Sequence, residues 1–99
     1  MFYVGTGYDK DNEPIKDVLK RIERCAAYIS SRFGGCSVID GVRGHWLFKN
    51  KLISEDTKIF EVITDADDKK VREAAELLRD ALNQTSVLVR KQEIQSEFI

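Results

Sequence analysis

Ninety-nine residues, 42% apolar and 33% charged, describe one folded domain with a modest core, not a disordered segment. Sixteen basic side chains against seventeen acidic ones exclude the basic excess of a general nucleic-acid binder and leave room only for a local basic pocket. No apolar run approaches the ~18 residues of a membrane span, the start MFYVGTGYDK lacks the regions of a signal peptide, and Cys25 and Cys36 form neither a disulfide framework nor a zinc-spaced pair. A cytoplasmic protein with reduced thiols is expected.

Phe2 to Tyr8 reads as a strand, rich in aromatic and β-branched residues. Alternation sends Phe2, Val4 and Thr6 to one face and Tyr3, Gly5 and Gly7 to the other. Glycines at alternate positions leave one face bare, which fits a bulge or a close backbone approach. Asp9 to Glu13 is a polar turn, and Asn12 is placed to cap a helix with Pro14 in its first turn. The spacing predicts that helix over Ile15 to Phe33, with Ile15, Val18, Leu19, Ile22, Cys25, Ala26, Ile29 and Phe33 as its apolar stripe. Lys16, Lys20, Arg21, Glu23 and Arg24 fall on the wet side. Tyr28 lies outside the stripe, placed to face a partner. Gly34-Gly35 accepts the left-handed backbone that ends a helix.

Cys36 to Asp40 resumes as a strand, Gly41 to Gly44 is a bend or bulge, and His45 to Lys49 continues extended. Lys51 to Asp56 reads as a charged turn. Lys58 to Thr64 is a strand with Phe60 and Val62 on one face and Ile59, Glu61 and Ile63 on the other. The acidic run from Asp65 opens a second helix, because acids suit a helix N-terminus. Its stripe is Val71, Ala74, Ala75, Leu78 and Leu82, and Asn83 and Gln84 close it. Ser86 to Arg90 is the last strand, with Lys91 to Ile99 as its extension. The expected fold is α+β: a ferredoxin-like β-α-β-β-α-β two-layer sandwich, antiparallel with two helices on one face, in a single domain. The other face carries Tyr3, Ile59, Ile63, Leu88 and Arg90. It is too apolar to stay wet, so a homo-oligomer is expected.

Catalysis finds little support. A Ser or Cys nucleophile needs a positioned base, and His45 is the only histidine. No paired carboxylates sit in an apolar setting, and one His is too few for a metal, so neither metal nor cofactor is expected. Ligand binding fares better in the stretch Gly34 to Asn50. Its glycines let backbone amides approach an anion. Arg43 and Arg90 suit phosphates, Trp46, Tyr3 or Tyr8 suits stacking on a base, and the expected ligand-binding set is Tyr3, Arg43, His45, Trp46, Arg90 and Gln92. Each has a plainer role open to it. Gly41 and Gly44 fit a bulge, Trp46 and Phe48 fit packing, His45 fits a structural hydrogen bond, and both arginines fit surface ion pairs.

The opening FYVG, the segment RFGGCSVIDGVRGHW, the strand KIFEVIT and the closing NQTSVLVRKQEIQSEF together resemble phage proteins of the anti-Thoeris sponge type. Those proteins hold a cyclic ADP-ribose immune signal without cleaving it. The resemblance implies a homo-oligomer, nucleotide pockets at subunit contacts, and no turnover. It makes a nucleotide-derived signal the expected partner, with no nucleic-acid polymer and no membrane. An interaction module that grips a host protein and a small enzyme using His45 are the competing expectations.

Overall fold

A computed structural model describes the backbone of residues 1–99 and every side chain except those of Trp46 and Phe48. Its elements are β1 (Phe2–Gly5), α1 (Val18–Phe33), β2 (Ser37–Phe48), β3 (Lys51–Glu61), α2 (Asp68–Ala81) and β4 (Leu88–Val89). The strands form one antiparallel sheet in the order β2-β3-β1-β4. Phe2, Val4 and Phe60 leave the sheet on one side and join Ile22, Cys25 and Ile29 of α1, with Ala74, Leu78 and Leu82 at α2, in a single core. The expected α+β class, four-stranded antiparallel sheet and helical layer are therefore present.

The strand reading of residues 2–8 holds for Phe2–Gly5, and Phe2, Val4 and Thr6 are the buried set, as alternation requires. The first helix begins three residues later than its spacing predicts. Pro14 instead bridges Tyr8, and the Ile15 N–H donates to the Gly7 carbonyl at 3.3 Å, so this segment folds back along the exit of β1. Asn12 does not cap. It sits at φ 59 in the turn, and the N-cap is Asp17, itself at φ 53 and with no side-chain cap bond. The apolar stripe holds at Ile15, Val18, Ile22, Cys25, Ala26, Ile29 and Phe33, with one exchange of position. Leu19 is 71% exposed, whereas Tyr28 packs against the core. Arg21 is half-buried, its Nη1 donating to the Ala81 carbonyl at 3.0 Å and so tying α1 to α2. Gly34 ends the helix at φ 90 as expected.

The larger correction concerns the expected charged turn at Lys51 to Asp56. Those residues are strand, and β2 and β3 form a hairpin that turns on Lys49 and Asn50 alone. Both have positive φ, 50 and 62, which is the backbone of a two-residue turn that matches strand twist. β2 runs 12 residues through a bulge between Ile39 and Val42, where Gly41 takes φ 75. β1 stops at Gly5 opposite Thr57, so the pairs from Arg43↔Asp56 to Phe48↔Lys51 project as a two-stranded arm. The molecule is 45 Å long and 26 Å across in both other directions. β2 is the sheet's free margin on one side. The last strand is shorter than expected, two residues instead of five. α2 starts at Asp68, later than the Asp65 expected, behind an N-cap at Asp67 whose Oδ1 accepts the Lys70 N–H at 2.9 Å.

Candidate functional site

The six expected contact residues do not share one place. Arg90 and Gln92 lie on a cleft of about 640 Å³ at the end of the sheet where β1 begins and β3 ends. Its floor is apolar, with Phe2, Phe33, Val62, Val71 and Val89, and its rim is charged, with Glu61, Asp68, Arg90 and Lys91. Each part has a local cause. Phe33 closes α1 just before its glycine cap, and its ring stands 6.4 Å from that of Phe2, tilted by 37°. Lys70 from the first turn of α2 lies 5.6 Å from the Phe33 centroid. The chain leaving β4 forms the outer wall, and Arg90 is held there by exchange of backbone bonds with Met1 at 2.7 and 2.8 Å. Lys91 reaches Asp68 at 2.6 Å, and that hydrogen bond and charge hold the Asp68 carboxyl below its usual range. Burial lowers the affinity of the Met1 amine for its proton, an effect that Glu61 opposes.

Arg43 and His45 stand on the arm, at the opposite end of the sheet from that cleft. Arg43 pairs with Asp56 at 3.4 Å, and His45 Nδ1 is 2.6 Å from the Ser54 hydroxyl. These are the cross-strand partners that the ladder register dictates, and both arm residues are exposed. Trp46 pairs with Ile53 in the same ladder; its expected stacking role, like the packing expected of Phe48, lies outside the described side chains. Tyr3 sits on the helix-free face between Ile59 and Leu88, its hydroxyl 3.6 Å from the Met1 sulfur. Of the apolar face expected there, Ile59 is buried and Leu88 is exposed. Ile63 lies past the end of β3 and lines the cleft instead.

Sequence reasoning missed one group. Glu55, placed in the supposed charged turn, is a buried carboxylate on the helix-free face, 7% exposed. It lies across the glycines of β1: a Cβ on Gly5 would fall 2.1 Å from Glu55 Oε1, and one on Gly7 would fall 3.3 Å from Glu55 Cβ. Its Oε2 accepts the Tyr8 N–H at 2.9 Å, which replaces the ladder partner that Tyr8 lacks beyond the end of β1. On the other side Thr57 leans over Gly44, whose Cβ would meet the Thr57 hydroxyl at 2.7 Å. The bare glycine face is thus a close approach, filled from β3. Among the described residues no group of three or more His, Cys, Asp or Glu is placed to hold a metal, and no helix is long and apolar enough to cross a membrane. Comparison with protein-family models, with curated proteins and with solved structures finds no match.

Proposed function

We propose that this protein binds and sequesters a nucleotide-derived signal of the cyclic nucleotide or cyclic ADP-ribose type. It does so without turnover, as a phage-type anti-defence protein in the host cytoplasm. The frame is read as ferredoxin-like from its two β-α-β halves, and the working form as a homo-oligomer. One observation carries the reading: a cleft of about 640 Å³ with an apolar floor that includes Phe2 and Phe33, and the Arg90 and Gln92 positions together on its rim. Ligand cavities commonly fall within roughly 300–1,000 Å³. The floor suits a flat base, and a guanidinium on the rim suits a phosphate.

Within one protomer Arg43 and His45 are at the far end of the sheet from this cleft. They join the same ligand only where a second copy presents its arm, which is why the reading includes self-association. Exposed Leu88, beside half-buried Tyr3 on the helix-free face, supports that association. Calorimetry with a panel of cyclic dinucleotides and cyclic ADP-ribose isomers tests the binding. At least one ligand is expected to bind saturably, to be weakened about tenfold or more by Arg90→Ala, and to return chemically intact after heat release. No saturable heat across the panel, or recovery of a cleaved product, overturns the proposal.

A second reading, a module that grips a host protein, draws on the arm tip. There Leu47 and Leu52 face each other across the ladder at 72% and 64% exposure. Loss of a host partner on Leu47→Ser, with no small molecule shifting the melting temperature, favours that reading over the first.

A further inference from the structure

The cleft at the start of β1 lies in line with that strand. Tyr3 pairs with Ile59 and Leu88, and Phe2 with Phe60 and Val89, so each step back along β1 advances both neighbours by one. The step from Phe2 brings Met1 opposite Arg90, with which it exchanges backbone bonds at 2.7 and 2.8 Å. The same register, carried further, runs between Val62 and Lys91, then Ile63 and Gln92, then Thr64 and Glu93. All of these residues line the cleft. Strands two places apart in a sheet stand roughly 9.6 Å from each other, the width that one extended chain fills. Among the described residues, no backbone N–H or carbonyl of residues 62–64 or 92–94 has a partner within the protein. The walls of the cleft are therefore two ladder edges that face each other.

We propose that this cleft accepts an extended peptide as an added strand between the two walls, running in the direction of β1 and reading basic, any, apolar. The ladder sets where its backbone bonds fall. Met1 spends its amine and carbonyl on Arg90, so the peptide residue next to Met1 turns its N–H and carbonyl to Val62, and the one before it turns to Gln92. The pleat sets the side chains. The residue next to Met1 faces the helices, as Phe2 does, and stands over Phe33, Val62 and Val71, which is a place for an apolar side chain. Lys91 reaches Asp68 at the start of α2, so its side of the wall faces the helices too. Glu93 follows it by two, and no cation among the described residues pairs with it. A basic side chain two positions before the apolar one supplies that charge. The inference stands apart from the nucleotide reading, since a strand and a nucleotide occupy the cleft one at a time.

The test is amide-resolved NMR on the full chain, titrated with the capped peptide acetyl-Thr-Lys-Thr-Leu-amide. The Val62 and Gln92 amides are expected to shift saturably. The same peptide N-methylated at its leucine loses the donor to the Val62 carbonyl and is expected to bind about tenfold more weakly. Glutamate in place of the peptide lysine is expected to weaken binding, and Glu93→Lys in the protein to reverse that preference. Shifts that never saturate, an undiminished response to the N-methylated peptide, or an unchanged preference for lysine in Glu93→Lys each overturn the added strand. Shifts of the same amides on concentrating the protein alone, as its hydrodynamic mass doubles, make a second copy the occupant and overturn the foreign peptide. A cyclic nucleotide that moves these amides where the peptide does not also overturns the strand. Saturation by the peptide with no response to any nucleotide upholds the strand and removes the nucleotide reading alone.

Discussion

Gly5 and Glu55 are coupled residues, and their energetics are expected to be non-additive. Gly5→Ala drives a methyl into the Glu55 carboxylate and strips Tyr8 N–H of its acceptor. A loss of about 1–3 kcal/mol is expected from that overpacking, read by urea unfolding. Glu55→Ala costs a similar amount through the orphaned amide, and adding Gly5→Ala to it costs much less than before. Gly35, with nothing within 4 Å of its virtual Cβ, serves as the neutral control. The same scale shows what was readable from residues alone. The alternation of Gly5 and Gly7 announced a bare face. What fills it was hidden, because a glutamate in a run such as KLISEDTK looks solvated until the register opposite Gly44 is known. Cys25 was legible by its place in the stripe. Burial raises its thiol pKa, so alkylation is expected at Cys25 only after denaturation, as mass spectrometry of the labelled chain will report.

At the scale of elements, the two helices begin differently and respond oppositely to mutation. Asp67 caps α2 with its side chain, so Asp67→Ala is expected to cost about 1 kcal/mol. Asp17 makes no cap bond and is held in the left-handed region. Asp17→Gly relieves that conformation and is expected to leave thermal stability level or raised. The helices were legible because their apolar spacing is regular. The exact start of α1 was not, since a proline in a first turn and a proline in a bridge look alike before the fold-back onto Tyr8 is seen. The hairpin turn escaped for a related reason. Lys-Asn is not the Asn-Gly pair that usually marks two residues at positive φ. Replacing Lys49-Asn50 by Asn-Gly is expected to stabilise the arm by about 1 kcal/mol, measured as slower amide exchange from Leu47 to Leu52.

For the molecule as a whole, the end opposite the cleft is tied by acid-sensitive bonds. Asp9 Oδ1 accepts the N–H groups of Asp11 and Glu13 at 2.9 and 3.0 Å, and Oδ2 accepts from Asn83 Nδ2 at 3.2 Å. The Glu13 backbone bond is the chief reason the Asp9 carboxyl lies below its ordinary value of 3.8, as the Lys91 bond is for Asp68. A depressed folded pKa means that the stabilisation is complete above 3.8 and is lost as pH falls through the lower folded values. Acid unfolding is therefore expected to loosen the Asp9 turn from α2, visible as early exchange at Asp11 and Glu13. The two-layer frame was readable at this scale from the order of elements. The cleft was not, because it is assembled from three strand ends, two helix ends and the chain beyond Val89, which no local pattern brings together.

The bulge at Gly41 has a bearing on solubility. β2 turns one full row of backbone donors and acceptors outward, an invitation to templated growth by further chains. The extra residue breaks the even spacing of that row, so an incoming strand finds register on one side of Gly41 or the other but not across both. Deleting Gly41 straightens the margin, and the shortened chain is expected to form thioflavin-positive fibrils at concentrations where the native chain stays dispersed.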